Sequence, residues 1–382
     1  MAASGIAASP LTFEVPLENG VADTNALLVA MLRASPQVSD LVFSPGRPPQ
    51  VGVHGQLIPV HTGKPNQLGP DDTRRIAADL IGNNKQAITM LREQGSCDVS
   101  YGLPGRARFR VNVFIQRGSC AVVMRVIPTR VPDFATLGLP AQLADIANLH
   151  EGIVLVTGPR ASGKSSTLAA LLDGINERQT CHIITIEDPI EFLHNHKRAT
   201  VHQRELHSDT PSFADALRAA LRQAPQVILV GECRDREATE MMIEAAETGH
   251  LVLSGLNTLD AATTVERLAS GYAFGEQQSV RSRLAKTLRY VISQRLIARN
   301  DGPGRAAVVE ILKVNARAHD CLEHGEIPHL SLLQVMKESS SEGMQHFDGE
   351  IEKLVRAGVV DLQTALKHAT NPAELRKALQ PS

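Results

Sequence analysis

A short glycine-rich segment between an apolar run and an amphipathic segment constrains the fold of this chain more than any other feature. Gly158-Pro-Arg-Ala-Ser-Gly-Lys-Ser165 satisfies the pattern G-x-x-x-x-G-K-[ST]; it follows the apolar run 153–156 and precedes a helical pattern over 168–175. Such a strand–loop–helix unit cradles phosphates with backbone N–H groups, while Lys164 reaches the β/γ phosphates and Ser165 ligates Mg²⁺. The candidate nucleotide-binding residues are Gly158, Pro159, Arg160, Ala161, Ser162, Gly163, Lys164, Ser165 and Ser166.

Four short, wholly apolar runs predict the core of the domain that carries this loop. Strands buried on both faces are apolar throughout, so these runs are typical of a parallel sheet with helices on both faces. The runs are Ile153–Val156, Ile183–Ile186, Val227–Val230 and Leu251–Ser254. The sequence therefore predicts an α/β domain.

Carboxylates follow two of these runs. Glu187 and Glu191 come after the second run, and Glu232 and Asp235 come after the third. Because the carboxyl ends of parallel strands face the ligand crevice, we expect one motif to hold Mg²⁺ and the other to supply a base. For Asp235, capping of the following helix is an equally supported interpretation.

The region before residue 127 has a different pattern. A helical spacing at 25–32 and strand-like segments at 57–60 and 107–126 predict a mixed α+β domain. The predicted divisions are a loose N-terminal extension 1–21, an α+β domain 22–127, a proline-rich linker 128–140, an α/β domain 141–325 and a C-terminal helical region 326–382.

Composition excludes several classes of function. The chain has 39 Lys+Arg and 41 Asp+Glu among 382 residues, a formal charge of −2, and only 3% aromatic residues, which disfavours direct binding of nucleic acid. The five cysteines form no C-x-x-C pair, so no zinc site is expected. A signal-peptide pattern and an 18-residue apolar run are both absent from the sequence, which predicts a cytoplasmic protein.

Basic residues outside the loop leave alternatives open. Ser212-Phe-Ala-Asp215 resembles a capping box that begins a helix with Asp215, Arg218 and Arg222 on one face. Either Asp215 and neighbouring subunits neutralise these arginines, or the arginines face a phosphate.

The same question arises for the first domain and for one histidine. Arg108 and Arg110 project to one face if they lie on a strand, and solvent exposure is the alternative interpretation. His250 follows a natural helix end at Gly249, and a lone histidine is more often structural than functional.

Several motifs together resemble one family, the type IV pilus retraction ATPases (the PilT/PilU group) of the secretion-ATPase superfamily. The resemblance extends over about 22–380. Its motifs are Arg108-Phe-Arg-Val-Asn112, the phosphate loop, Ile186-Glu-Asp-Pro-Ile-Glu-Phe192, Phe213-Ala-Asp-Ala-Leu-Arg218, Val227-Ile-Leu-Val-Gly-Glu232, Ala245-Ala-Glu-Thr-Gly-His250, Gly343-Met-Gln-His-Phe-Asp348 and Asn371-Pro-Ala-Glu-Leu375.

The resemblance implies a PAS-like N-terminal α+β domain, a RecA-like P-loop NTPase domain and a C-terminal helical tail. It implies a homo-hexameric ring that binds ATP and Mg²⁺ and pulls on a pilus platform protein at the inner-membrane face. By resemblance, Glu191 is the catalytic carboxylate, Glu232 is the Walker B glutamate and a Mg²⁺ ligand, and His250 is the histidine-box residue. Arg110 and Arg125 match arginines sent to the γ-phosphate, and Arg218 and Arg222 match arginines of the motor site.

Three departures from the family pattern qualify this expectation. Arg160-Ala161 stands where the family has Thr-Gly, so a positive φ at Ala161 would introduce strain. Asn257 replaces a second histidine, and Ala224-Pro-Gln226 replaces an acidic Asp-Pro-Asp. The segment 326–336 resembles the PilU branch more than PilT.

Four functions therefore remain in competition. The first is an ATPase that drives pilus retraction, and the second is a related secretion or conjugation motor. The third is a low-activity accessory subunit in a ring mixed with an active paralogue. A RecA-like DNA motor is the fourth, supported by fold alone.

Overall fold

The structure is a computed structural model that describes residues 11–12, 17–18, 21–61, 67–128, 130–233, 235–327 and 330–380. The chain divides into two compact units between Thr129 and Arg130. The predicted loose extension 1–21 lies mostly outside the described residues, and the short strands β1 (Leu11–Thr12) and β2 (Leu17–Glu18) are described within it.

The first unit is built on a seven-stranded sheet. Its remaining elements are β3 (Val21–Ala22), α1 (Thr24–Arg33), β4 (Val38–Phe43), β5 (Gln50–Val53), β6 (Gln56–His61), α2 (Pro70–Ile81), α3 (Lys85–Gln94), β7 (Ser96–Leu103), β8 (Ala107–Gln116) and β9 (Ser119–Ile127). The spatial order is β1-β6-β5-β4-β9-β8-β7, and β1 pairs with β6 in parallel. β2 and β3 form a separate hairpin.

Local sequence signals determine where the helices of this unit begin and end. Asp23 caps α1 by accepting from the backbone N–H of Ala26, and Asn84 caps α3 in the same way. Gly95 ends α3 in the left-handed conformation. The predicted helix at 25–32 and the predicted strands at 57–60 and 107–126 are present, and they form a mixed α+β unit.

The second unit contains a mostly parallel sheet. Its elements are α4 (Phe134–Leu137), a 3₁₀-helix (Ala141–Asn148), β10 (Gly152–Thr157), α5 (Lys164–Arg178), β11 (His182–Glu187), β12 (Thr200–Glu205), α6 (Phe213–Ala220), β13 (Val227–Val230), α7 (Arg236–Glu247), β14 (Leu251–Leu256), α8 (Ala261–Ser270), α9 (Phe274–Thr287), β15 (Leu288–Ala298) and β16 (Arg305–Lys313). The spatial order is β12-β11-β13-β14-β10-β15-β16, with β15–β16 antiparallel.

This sheet is buried on both faces. Along β10, Ile153 and Leu155 pack into one hydrophobic core, and Val154 and Val156 pack into another on the opposite face. The four predicted apolar runs all lie in strands of this sheet. The predicted α/β class is therefore confirmed.

Helix α4 forms inside the predicted linker 128–140, of which residue 129 is not described. Phe134 and Leu137 of this helix pack against the core that contains Val154 and Val156.

The chain ends in the predicted helical region. Its helices are α10 (Ala316–His324), α11 (Leu332–Glu338), α12 (Phe347–Arg356), α13 (Leu362–His368) and α14 (Pro372–Ala378), with a short 3₁₀-helix (Ser340–Glu342). Phe347, Ile351 and Leu375 pack against Ile297 of β15 and Val308 of β16. Residues 328–329 of the segment that resembles PilU lie outside the described residues.

Candidate active site

The glycine-rich loop has the geometry that a phosphate-binding loop requires. β10 ends at Thr157 and α5 begins at Lys164. Gly158 has φ 146°, and a Cβ there would lie 2.6 Å from Ser162 Oγ and would also collide with the carbonyl oxygen of Gln294. Gly163 has φ 93°, so neither glycine tolerates a side chain. The loop leads directly into the N-terminus of α5, where free N–H groups favour an anion.

Two polar residues of β15, Ser293 and Gln294, hydrogen-bond to the strand before the loop and to the helix after it. Thr167 Oγ1 donates to the buried Gln294 Oε1 at 2.7 Å, and Thr157 Oγ1 donates to Ser293 Oγ at 3.0 Å. Our sequence analysis missed Ser293 and Gln294. The available signal was the polar run Ser293-Gln294-Arg295 between apolar residues of β15.

The predicted strain at Ala161 is present. Ala161 has φ 61°, which places it in the left-handed region that favours glycine. The guanidinium of Arg305, on β16, donates to its carbonyl oxygen at 3.3 Å. An arginine from the sheet thus holds the strained residue.

Lys164 lies against the loop beside two carboxylates. Its Nζ donates to the carbonyl oxygens of Gly158 at 2.8 Å and Pro159 at 2.9 Å. Burial lowers the pKa of the Lys164 ammonium, and the negative charges of Glu232 and Glu191 oppose that change. Both predicted carboxylates therefore act electrostatically on the P-loop lysine.

Ser165 and Glu191 are in direct contact. Ser165 Oγ donates to Glu191 Oε1 at 2.9 Å. The loop that carries Glu191 is held by Glu205, whose carboxylate accepts from the N–H of Ile190 at 3.1 Å. Hydroxyl and carboxylate oxygens are the donors that Mg²⁺ prefers, so Ser165 and Glu232, whose charge acts on the neighbouring Lys164, fit the expected ion.

Glu232 follows β13 and meets the end of β14. The side-chain amide of Asn257 donates to Glu232 Oε1. Asn257, which departs from the family pattern, therefore contacts one of the predicted site carboxylates.

Two other carboxylates have structural partners. Asp235 caps α7 by accepting from the N–H of Ala238 at 2.8 Å. Of the two interpretations of Asp235, the structure therefore supports capping. Glu187 is half-buried and accepts from Thr185 Oγ1 at 2.6 Å and Gln203 Nε2 at 3.1 Å. Burial raises the pKa of Glu187.

The structure corrects the predicted helix face at 215–222. Ser212 caps α6 as predicted, but the helix ends at Ala220, so Arg222 lies beyond it. The physical reason is Pro225, which disfavours right-handed helical geometry in the residue before it, and Ala224, with φ 52°, lies outside that geometry. Arg218 is paired within the chain, with Asp215 at 3.2 Å and with Glu237.

His250 lies at the edge of the sheet opposite to the phosphate loop. β10 and β14 run parallel, with Gly152 opposite Leu251 and Thr157 opposite Leu256, so the length of a strand separates the imidazole from the loop. Its Nδ1 contacts the carbonyl oxygen of Ala245 at 2.9 Å. Within the second unit, the structure does not bring His250 to the phosphate loop, and its role stays a prediction.

The arginines of the first unit form a row across its sheet. Arg125 on β9 lies opposite Asp40 on β4 on one side and Arg110 on β8 on the other. Arg125 Nε donates to Asp40 Oδ1 at 3.0 Å, and Arg110 is exposed. Two arginines side by side repel each other, and Asp40 offsets one of the two charges.

Two further features concern metals and membranes. Across the described ranges, no group of three or more His, Cys, Asp or Glu side chains is arranged to hold a metal ion. Within the same ranges, no helix combines the length and apolarity that crossing a membrane requires.

Comparison with known proteins identifies the family. The sequence model described as "Type II/IV secretion system protein" matches residues 95–356. The twitching motility protein of Neisseria gonorrhoeae is 40% identical over 323 residues, which cover 85% of this chain and 84% of that protein. The chain belongs to this family. The resemblance found in the sequence motifs is thereby confirmed.

Two relatives from Pseudomonas aeruginosa are similarly close. The type IV pilus retraction ATPase PilT is 39% identical over 336 residues, covering 87% of this chain and 95% of PilT. The type IV pilus ATPase PilU is 38% identical over 338 residues, covering 88% of this chain and 87% of PilU.

Solved structures confirm the fold. The pilus retraction motor PilT with bound ADP superposes with a TM-score of 0.81 at 38% identity, covering 92% of this chain and 98% of that one. The ATPase DotB of Legionella pneumophila gives a TM-score of 0.78 at 28% identity, covering 94% and 98% of the two chains. The predicted ATPase fold, with N-terminal and RecA-like domains followed by C-terminal helices, is therefore confirmed.

Proposed function

We propose that this chain is a Mg²⁺-dependent ATPase that drives the retraction of type IV pili. One observation carries the proposal: Lys164, Ser165 with Glu191, and Glu232 gather at the carboxyl edge of the parallel sheet, beside the phosphate loop. These groups match the chemical requirements of phosphoryl transfer, in which positioning and charge stabilisation do most of the work.

The proposed mechanism is attack of a water molecule, in line, on the γ-phosphate. Lys164 and the N–H groups of the loop hold the phosphates and balance their charge. Ser165 and Glu232 would hold Mg²⁺, which would supply further charge neutralisation. Glu191 would polarise the attacking water once nucleotide draws Ser165 away from it.

The arginine row of the first unit couples nucleotide to motion in this proposal. Arg110 and Arg125 together carry one positive charge more than Asp40 neutralises, so the row attracts an anion. We propose that this anion is the γ-phosphate. Loss of the phosphate would then release the arginines and let the unit rotate.

The assembly is proposed by analogy with the relatives. We infer a homo-hexamer at the cytoplasmic face of the inner membrane that acts on a pilus platform protein. Arg218, Arg222 and His250 would then contribute to sites shared between subunits, as the resemblance implies. Neither nucleic acid nor zinc is part of this proposal.

A second function has specific support. The identities to PilT and PilU differ by one percentage point, 39 − 38, so sequence similarity does not separate the two roles. The left-handed Ala161 strains the phosphate loop, which favours slow hydrolysis. A low-activity subunit in a ring with an active paralogue is therefore the alternative to an autonomous motor.

Genetic complementation tests the proposal. In the source bacterium with the gene deleted, we expect pili to accumulate on the surface and surface motility to stop. Wild-type protein should restore both, and Lys164→Ala should restore neither. Normal pilus numbers and motility in the deletion strain would contradict the proposal. Restoration that requires an intact paralogue, and survives Lys164→Ala, would favour the accessory role.

A further inference from the structure

Asn257 and Glu232 lie at neighbouring strand ends that the backbone holds together. β13 and β14 run parallel with Val230 opposite Ser254. Beyond them, the N–H of Cys233 donates to the carbonyl oxygen of Gly255 at 3.0 Å. A Cβ at Gly255 would lie 2.7 Å from the carbonyl oxygen of Gly231, so only glycine permits this approach. Glu232 and Asn257 therefore leave the sheet side by side.

The contact between the two side chains is polar and directional. The amide Nδ2 of Asn257 donates to Glu232 Oε1. A carboxylate that accepts a hydrogen bond from a fixed donor loses rotational freedom. Asn257 thus fixes the direction of this carboxylate.

The negative charge of Glu232 acts on Lys164, the lysine of the phosphate loop. Glu232 is the largest charge influence on the Lys164 ammonium, ahead of Glu191. It also contributes, after burial and Asp235, to raising the pKa of the Cys233 thiol to about 11. Because Asn257 is uncharged, it orients Glu232 without cancelling this negative charge, which a lysine or arginine in its place would do.

We propose that Asn257 is a positioning residue for ATP hydrolysis, acting through the carboxylate of Glu232. The proposal rests on the ATPase function proposed above. It concerns the orientation of Glu232 beside Lys164 and requires that the side chain at 257 present an N–H donor at its δ position.

Three substitutions isolate that donor. Asn257→Asp keeps the shape of the side chain but places an oxygen where the N–H donor stands. Asn257→Ala removes the group entirely. Asn257→His restores an N–H at the δ position, because its Nδ1 is bonded to Cγ as Nδ2 is in asparagine. Asn148→Asp, at an exposed asparagine in the 3₁₀-helix, makes the same chemical change away from the site.

The assays separate orientation from binding. ATPase kinetics at about pH 8, above the ordinary histidine pKa of about 6.5, should show kcat reduced by about tenfold or more in Asn257→Asp and Asn257→Ala. KM for ATP should stay within about threefold in both variants, because the phosphate loop is intact. Asn257→His should recover kcat to within about threefold of wild type, and Asn148→Asp should match wild type.

A binding measurement keeps the inference testable without turnover. The affinity for fluorescent mant-ADP is measured with Mg²⁺ and with EDTA, and the ratio of the two should fall by about threefold or more in Asn257→Ala. Wild-type kcat in Asn257→Asp, or no recovery in Asn257→His, would overturn the inference. If the wild-type chain binds nucleotide but hydrolyses none in any assembly, the proposed function fails, and an unchanged mant-ADP ratio then overturns the role of Asn257 independently.

Discussion

The phosphate-loop edge of the second unit and the arginine row of the first unit hold their charged residues in different ways. At the loop edge, backbone constraints do most of the placement: Gly158, Gly163 and Gly255 admit no Cβ, and Gln294 supports the loop from below. In the arginine row, Arg125 rests on the surface of a sheet beside Asp40. Backbone constraints therefore fix the phosphate-loop residues within the second unit, whereas we propose that the exposed arginines act by binding an anion.

The largest expected effect tests whether the backbone holds the phosphate loop in place. Gly158→Ala should weaken nucleotide binding by about 100-fold, because the added Cβ displaces the loop from Ser162 and Gln294. Titration with mant-ADP measures this change. Gly275→Ala is the matched control, since a Cβ there meets nothing within 4 Å, and it should bind as wild type does. Normal binding by Gly158→Ala would show that the loop is not held as described.

The second-largest expected effect tests the function of the arginine row. Arg125→Ala should lower the ATPase rate by about tenfold while changing the free energy of unfolding by less than about 1 kcal/mol, since the Arg125–Asp40 pair is exposed. Steady-state ATPase assays and thermal unfolding measure the two quantities. Arg92→Ala, at an exposed position on α3, should change neither. If Arg125→Ala retains full activity, the arginine serves only to pair with Asp40.

The sequence predicts the backbone elements of this molecule better than the contacts between its side chains. The strands, the loop and the caps at Asp235 and Ser212 follow from local patterns, because each depends on a few neighbouring residues. The support by Gln294 and the contact between Asn257 and Glu232 depend on strand order, which joins residues far apart in the chain. The sequence pattern also predicted that Arg222 lies on a helix. In the structure α6 ends at Ala220, because Pro225 prevents the helix from continuing.

The partners of Glu187 illustrate the same limit. Glu187 and Glu191 both follow the apolar run 183–186 and look equivalent in the sequence. In the structure Glu187 ends β11 and accepts from Gln203 of β12, while Ser165 of α5 donates to Glu191. Only the arrangement of neighbouring elements distinguishes the carboxylate that pairs with β12 from the one at the site.

The smallest expected effect concerns the strained loop residue. Ala161→Gly should raise the free energy of unfolding by about 0.5 kcal/mol, because glycine adopts φ 61° without the steric cost that alanine carries. Chemical denaturation followed by circular dichroism measures the change. Ala357→Gly, at an exposed residue with φ −79°, should give no such gain. A loss of stability in Ala161→Gly would show that the loop has no strain to relieve.

The most direct test of the account is the Mg²⁺-dependent ATPase rate of the purified chain, measured over protein concentrations that span ring assembly, beside Glu191→Gln. We predict a rate per chain that rises with assembly and a loss of about 100-fold or more in Glu191→Gln, with nucleotide binding retained. Equal rates in the two proteins would contradict the assignment of Glu191 as the group that activates water. Absence of hydrolysis in the assembled wild-type ring, with ATP bound, would contradict an autonomous motor.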